Sequence, residues 1–120
     1  MAVTNITLTP IGSSQFQDTA NTNSAIVIKS SSGTLYSVDI DNTSLASVIF
    51  TKLYNSAGAI VMGTDAPDWI IRVPASTRIS VQFVGGHAFS AGLQVGTVTA
   101  GGTAGTTAPG TPPIVRVVYS

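Results

Sequence analysis

The 120-residue chain contains no cysteine and no glutamate. Without cysteine it has no disulfide, no thiolate metal ligand and no thiol redox chemistry. Without glutamate, any carboxylate chemistry depends on five aspartates: Asp18, Asp39, Asp41, Asp65 and Asp68. Asp39 and Asp41 share one face of a predicted strand. They could pair or bind calcium weakly, but we favour a solvent-facing strand end next to a turn.

Charged residues are scarce: five are basic, five are acidic, and together they make up 8% of the chain. An ordinary soluble protein carries about 25%. The mean hydropathy of +0.39 is also high. Because so few charges give little protection against self-association, we expect a neutral hydroxyl- and amide-rich surface that is partly covered in an assembly. The basic residues stand singly, which predicts no nucleic-acid partner, since phosphate binding requires clustered lysine and arginine.

Long apolar runs are missing as well, and no stretch approaches the 18 residues of a membrane span. The sequence therefore predicts no membrane partner. Residues 1–6 have neither a basic segment nor an apolar run, which predicts no signal peptide. The length fits one domain.

What the chain does contain is short stretches in which apolar and polar residues alternate. Period-2 alternation is typical of half-buried strands, and no segment shows a helical 3.6-residue period. The predicted strands are residues 3–8, 25–29, 35–41, 48–54, 59–62 (a short strand or edge piece), 69–73, one from about 79 that Gly85-Gly86 ends, 93–99 and 114–119. This pattern predicts an all-β, single-domain β-sandwich of jelly-roll type with about eight short strands.

Residues 9–23 and residues 100–113 lack such a pattern. Residues 1–23 are predicted to form an N-terminal strand and a flexible arm or long loop, ahead of a sandwich domain at 24–120. Residues 100–113 form a Gly-, Thr- and Pro-rich loop, and loops of this length are usually functional or disordered. These segments and one strand supply the candidate interface residues: Phe16, Gln17, Trp69, Thr106, Thr107 and Pro109.

Catalytic candidates are few. His87 is the only histidine, and it could act as a general base or a metal ligand. With no second histidine or cysteine to complete a metal site, we expect a loop histidine that hydrogen-bonds to backbone. Ser90 lies nearby but has no G-x-S-x-G motif around it. We therefore predict no catalytic residue, no metal, no cofactor and no enzymatic activity.

Five short motifs occur in order along the chain: Leu35-Tyr36-Ser37-Val38, Thr51-Lys52-Leu53-Tyr54-Asn55, Gly63-Thr64-Asp65-Ala66-Pro67, Ile71-Arg72-Val73-Pro74-Ala75 and Ala88-Phe89-Ser90-Ala91-Gly92-Leu93. With the C-terminal strand at 114–119, this series resembles small structural proteins of tailed bacteriophages, including cyanophages. The resemblance covers roughly residues 33–119 and leaves residues 1–23 unmatched.

The resemblance implies a virion protein, most plausibly a capsid cement (decoration) protein. Such a protein would bind the major capsid protein, form a homotrimer and sit on the capsid surface after assembly in the host cytoplasm. One alternative is a tail, baseplate or fibre component of the virion. Another is a carbohydrate-binding module, for which four aromatic residues would form the sugar platform: Trp69, Tyr36, Tyr54 and Tyr119.

Overall fold

A computed structural model of the protein describes residues 14–120, which form eight β-strands and no helix. The strands are β1 (Ser14–Asp18), β2 (Ile26–Lys29), β3 (Gly33–Asp41), β4 (Ile49–Tyr54), β5 (Trp69–Val73), β6 (Arg78–Phe89), β7 (Leu93–Val98) and β8 (Ile114–Tyr119). The strand predicted at residues 3–8 lies outside the described residues.

The strands form two four-stranded antiparallel sheets, with the orders β1-β8-β3-β6 and β2-β7-β4-β5. We call them the first and the second sheet. The pairs β1–β8, β2–β7, β3–β6 and β4–β5 are nested, as if one long hairpin had been wound around a barrel. This is the jelly-roll arrangement of eight strands. The predicted all-β sandwich is therefore confirmed.

The core lies between the sheets and is built from every second residue of the inner strands. Directly paired residues share a face, so the inward set of each strand meets the inward set of its neighbour. Val38, Ile40, Val115 and Val117 of the first sheet are fully buried there. They pack in one cluster with residues of the second sheet that include Ile49, Leu53, Val73 and Val95.

Two predicted boundaries near the N-terminal and central regions are wrong. Ser14–Asp18, expected within an arm or loop, is strand β1 and pairs with β8. Its polar composition misled the prediction, because an edge strand needs only one apolar residue, Phe16, against the core. Residues 59–62, expected as a short strand or edge piece, belong instead to an irregular loop at 55–68.

Strand β6 does not end at Gly85-Gly86, as the sequence predicted, but continues through both glycines to Phe89. Both have positive φ, 78° and 84°. Four residues of β6, 83–86, stand opposite Tyr36 alone, so the strand bulges outward here. The bulge also breaks the alternation in β3: Leu35 is buried with Val38 and Ile40, whereas strict alternation from Val38 would put Tyr36 on that face.

The outer face of the second sheet is covered by loops, which makes a third layer. All six residues of β7 are buried, and β4 is buried at every position except Phe50. The Gln94 amide donates to the backbone oxygens of Ser56 and Gly58. Tyr54 donates its hydroxyl proton to Met62 Sδ at 2.9 Å. These contacts hold the 55–68 loop against the sheet.

The loop between β7 and β8 is held by a buried lysine. Lys52 on β4 is 0% exposed, and its Nζ donates to the carbonyl oxygens of Thr103 (3.2 Å) and Gly105 (2.8 Å). No carboxylate among residues 14–120 lies within ion-pair distance of it. Burial lowers the pKa of the Lys52 ammonium. The predicted loop at 100–113 is thus irregular, but it is fixed to the sheet rather than free.

Replacement of the two bulge glycines by alanine tests the bulge. A Cβ at Gly85 meets no atom within 4 Å, whereas a Cβ at Gly86 overlaps the Thr34 methyl and lies 3.0 Å from the Tyr36 ring. G85A should cost only the strain of positive φ, about 1–2 kcal/mol, and G86A should cost roughly 1–3 kcal/mol more. Chemical denaturation measures both. Equal losses would contradict the described packing.

Replacement of Lys52 tests the buried ammonium. K52M keeps the chain volume, and the two loop carbonyls can turn to water, so the free energy of unfolding should stay equal or rise while amide exchange in residues 100–108 speeds up. K52A leaves a cavity and should be less stable than K52M by roughly 2–5 kcal/mol. If K52M loses as much stability as K52A, the charged hydrogen bonds and not the packing hold this layer.

Wild type and K52M can also be compared for the pH dependence of their stability. With its pKa lowered in the folded chain, Lys52 releases its proton earlier than the unfolded chain does near 10.5. Between these two values the unfolded chain binds more protons, so stability rises with pH. Wild type should therefore gain stability relative to K52M as the pH approaches 10.5. Tyr54, whose pKa burial raises, is common to both proteins and cancels.

Candidate interaction surface

An aromatic cluster joins the two sheets at one edge of the sandwich. Trp69 begins β5, and Phe83 and His87 lie on β6. The Trp69 ring meets the Phe83 and His87 rings edge to face, with both centroid distances at 5.3 Å. Trp69 Nε1 donates to His87 Nε2 at 3.1 Å. His87 Nε2 is thus the unprotonated nitrogen, and the histidine serves to orient the indole.

This arrangement corrects the expectation for His87. The residue lies on a strand and not in a loop, and its hydrogen bond joins it to a side chain rather than to backbone. Within residues 14–120, no group of three histidine, cysteine or acidic residues is placed to hold a metal ion. Ser90 accepts a hydrogen bond from Asn55 Nδ2 at 3.2 Å.

Two cavities flank the cluster. The one beneath Trp69 and His87 has a volume of about 10 Å³, enough for about one water molecule. The other, about 230 Å³, is open to solvent below the β6 bulge and is lined by Tyr36, Gln82, Phe83, Val84 and Gly85. It is smaller than the 300–1,000 Å³ typical of small-molecule sites, and none of its lining residues is acidic or basic.

A network of charges binds the outer face of the first sheet together. Arg78 Nε donates to both carboxylate oxygens of Asp39, at 3.0 and 3.1 Å. Arg116 Nη1 lies 3.6 Å from the same Asp39, and its Nε donates to Gln17 at 3.1 Å. Next to them, hydrogen bonds from the Thr43 side chain and backbone lower the pKa of Asp41. These charges connect all four strands and are engaged with each other.

The candidate carbohydrate platform is not assembled. Tyr54 is 1% exposed beneath the 55–68 loop. The Tyr36 ring lies over Gly86 on the outer face of the first sheet, whereas Trp69 lies at the sandwich edge and Tyr119 packs against the core. Because Tyr54 is buried and Tyr119 packs against the core, the four aromatic residues do not form one exposed platform.

The six candidate interface residues do not form one surface either. Phe16 packs against the core, and Gln17 is engaged with Arg116 on β1. Trp69 lies at the edge where β5 and β6 stand, across both sheets from β1 and β2. In the loop after β7, Thr106 and Thr107 are exposed and Pro109 is buried.

The exposed large apolar residues mark a surface that sequence reasoning missed. Among residues 14–120 they are Ile26, Val27, Val61, Trp69, Ile70 and Val84. Four of these lie on the two edge strands of the second sheet, β2 and β5, and we call them the apolar edges. Their runs Ile26-Val27-Ile28 and Trp69-Ile70-Ile71 are visible in the sequence, but continuous apolar runs predict buried strands, so only the topology shows that they are edges.

Among residues 14–120, the fold and this surface define a small jelly-roll β-sandwich with two exposed apolar edge strands. The chain matches no family model, no curated protein and no solved structure. The described part of the chain contains no helix long and apolar enough to cross a membrane.

A His87→Phe variant tests the aromatic cluster. Phenylalanine keeps the ring contact with Trp69 but removes the acceptor for Nε1, so the variant should lose about 0.5–1.5 kcal/mol of stability. Trp69 is the only tryptophan in the chain, so its emission reports this site directly and should change in the native state. Gln82→Ala, an exposed change on the same strand, is the control. Unchanged emission in H87F would contradict the Trp69–His87 bond.

Proposed function

We propose that this protein is a structural component of a tailed-bacteriophage virion, a capsid cement (decoration) protein that binds and stabilises the lattice of the major capsid protein. The observation that carries the proposal is the pair of apolar edges on a surface with very few charges. Exposed apolar strand edges in a charge-poor protein are sites of protein–protein contact. The motif series at residues 33–119 supplies the virion assignment.

The jelly roll supports the proposal without being specific to it, since viral coat proteins, lectins and cupins share this architecture. What favours a coat role here is the chemistry of the surface. The cavity beneath Trp69 and His87 holds no more than about one water, and Tyr54, one of the four candidate sugar-stacking residues, is buried. The fixed loops of the third layer suit a rigid clamp.

A clamp of this kind acts by mass action. A protein that binds the mature lattice and not its dissociated subunits stabilises the lattice in proportion to its binding free energy. Many identical copies on one shell supply avidity, so each contact can be modest. Exposed Thr106 and Thr107 stand on a loop that Lys52 already orders, which reduces the entropy lost when they contact a neighbour.

Reconstitution tests the proposal. Mature heads of the encoding phage, prepared without this protein, are incubated with the purified chain and sedimented. We expect the chain to co-sediment with the heads and to raise the temperature at which they release DNA. Purified tails of the same phage serve as the matched target. Binding to tails alone, or to neither particle, would contradict a cement role, and the first result would indicate a tail component.

A further inference from the structure

We propose that copies of this chain associate head to tail through the second sheet, with β2 of one copy pairing antiparallel with β5 of the next. The occupant of each apolar edge is thus the opposite edge of a second copy. That the contacts close into a ring of three rests on the proposed function. The pairing itself rests on the edges, their direction and their charges.

The two sheets differ in the side chains that their edge strands expose. In the first sheet, β1 exposes Ser14, Gln15 and Gln17, and β6 exposes polar residues and then the bulge. Polar side chains on an edge strand are a usual means by which proteins prevent edge pairing. In the second sheet, β2 exposes Ile26 (37%) and Val27 (47%), and β5 exposes Trp69 (41%) and Ile70 (38%). Within residues 14–120, β2 pairs with β7 alone and β5 with β4 alone.

Strand direction permits the contact. All neighbours in the second sheet are antiparallel and the sheet has four strands, so β2 and β5 run in opposite directions. A second copy turned about an axis parallel to the strands therefore brings its β2 antiparallel to β5 of the first. This preserves the hydrogen-bonding pattern of the sheet across the boundary. A contact between unlike surfaces is heterologous and closes into a ring when the rotation allows.

Side-chain alternation fixes the register. Val27 pairs with Gln94, and Ile70 pairs with Lys52, so both lie on the outer face of the sheet. Residues that stand opposite each other must share a face, which leaves Ile70 or Arg72 as the partner of Val27. Apolar matching selects Ile70. Ile26 then stands opposite Ile71, and the regular register ends at the irregularity that follows Val27.

The charges agree with this register. Lys29, at the end of β2, lies toward the same end of the contact as Asp68 of the neighbouring copy, just before β5. Arg72 lies at the far end of the contact, away from Lys29. Parallel pairing would instead bring the two basic residues together. The irregularity in β2 lies between Val27 and Lys29, so the regular ladder is limited to Ile26 and Val27.

Light scattering tests the association. Wild type should have about three times the 12.2 kDa chain mass, and Ile70→Lys should reduce it to that of one chain. Val84→Lys changes an apolar residue that is 100% exposed on the other sheet, and it should leave the mass unchanged. A monomeric wild type, or a V84K variant that dissociates while I70K does not, would overturn the inference.

Disulfide cross-linking tests the pairing itself and does not depend on the folding of I70K. The chain has no cysteine, so V27C and I70C introduce the only thiols, and opposed strand positions lie within disulfide range. Co-expressed V27C and I70C chains should form linked dimers under mild oxidation, and neither variant alone should. Dimers of I70C alone would indicate a twofold β5–β5 contact, and dimers of V27C alone a twofold β2–β2 contact. Either result, or no cross-link at all, overturns the inference.

The head-binding experiment separates this inference from the proposed function. If the chain is monomeric in solution and still binds heads, the edge pairing is contradicted and the cement role is supported. If the chain cross-links as described and binds no particle, the cement role is contradicted and the edge pairing is supported.

Discussion

The two central strands of the second sheet, β4 and β7, are buried on both faces, and the positions of the long loops follow from this constraint. A sheet in a sandwich normally shows its outer face to water. Here that face carries Tyr54, Gly96 and Val98, which are buried beneath the loops. Lys52 and Gln94 lie on the same face and donate the hydrogen bonds that hold these loops in place. The Met62 methyl lies where a Cβ on Gly96 would be. The loops at 55–68 and 99–113 therefore act as a third packed layer.

Inside the sandwich, a series of hydrogen-bonded polar side chains fixes the connection between β1 and β2. Thr51 and Thr97 share a hydrogen bond at 2.9 Å, Thr97 donates to Asn21 Oδ1 at 2.7 Å, and Asn21 donates to Asp18 at 2.9 Å. Thr51, Thr97 and Asn21 are 0% exposed. A buried polar group without hydrogen-bond partners is costly, so these hydrogen bonds determine where the segment between β1 and β2 can lie. The sandwich is thus held by apolar packing at its centre and by polar side chains at its loops.

How far the sequence predicted this structure depends on how local each signal is. The alternation in β3 and β8 and the turns between strands are local, and they gave the class of fold and most strand boundaries. The glycine pair at Gly85-Gly86 predicts a strand end as readily as a bulge, and only the pairing of β6 with β3 around Tyr36 decides between them. The role of Lys52 had no local signal at all, since its acceptors Thr103 and Gly105 are some fifty residues away. For the same reason the apolar edges could not be predicted: Ile26 and Ile70 read as buried strands until the topology places them at the margins of a sheet.

The burial of Lys52 also determines which lysine side chain can be used for chemical conjugation of the native protein. The chain has two lysines, Lys29 and Lys52, and the second lies beneath a loop with its amine bonded to two carbonyl oxygens. Amine-reactive dyes, cross-linkers and biosensor surfaces would accordingly reach the Lys29 side chain and leave Lys52 unmodified in the native state. A conjugate made through Lys29 would carry its label beside β2, so introduced cysteines away from both apolar edges would better preserve the surface for assembly.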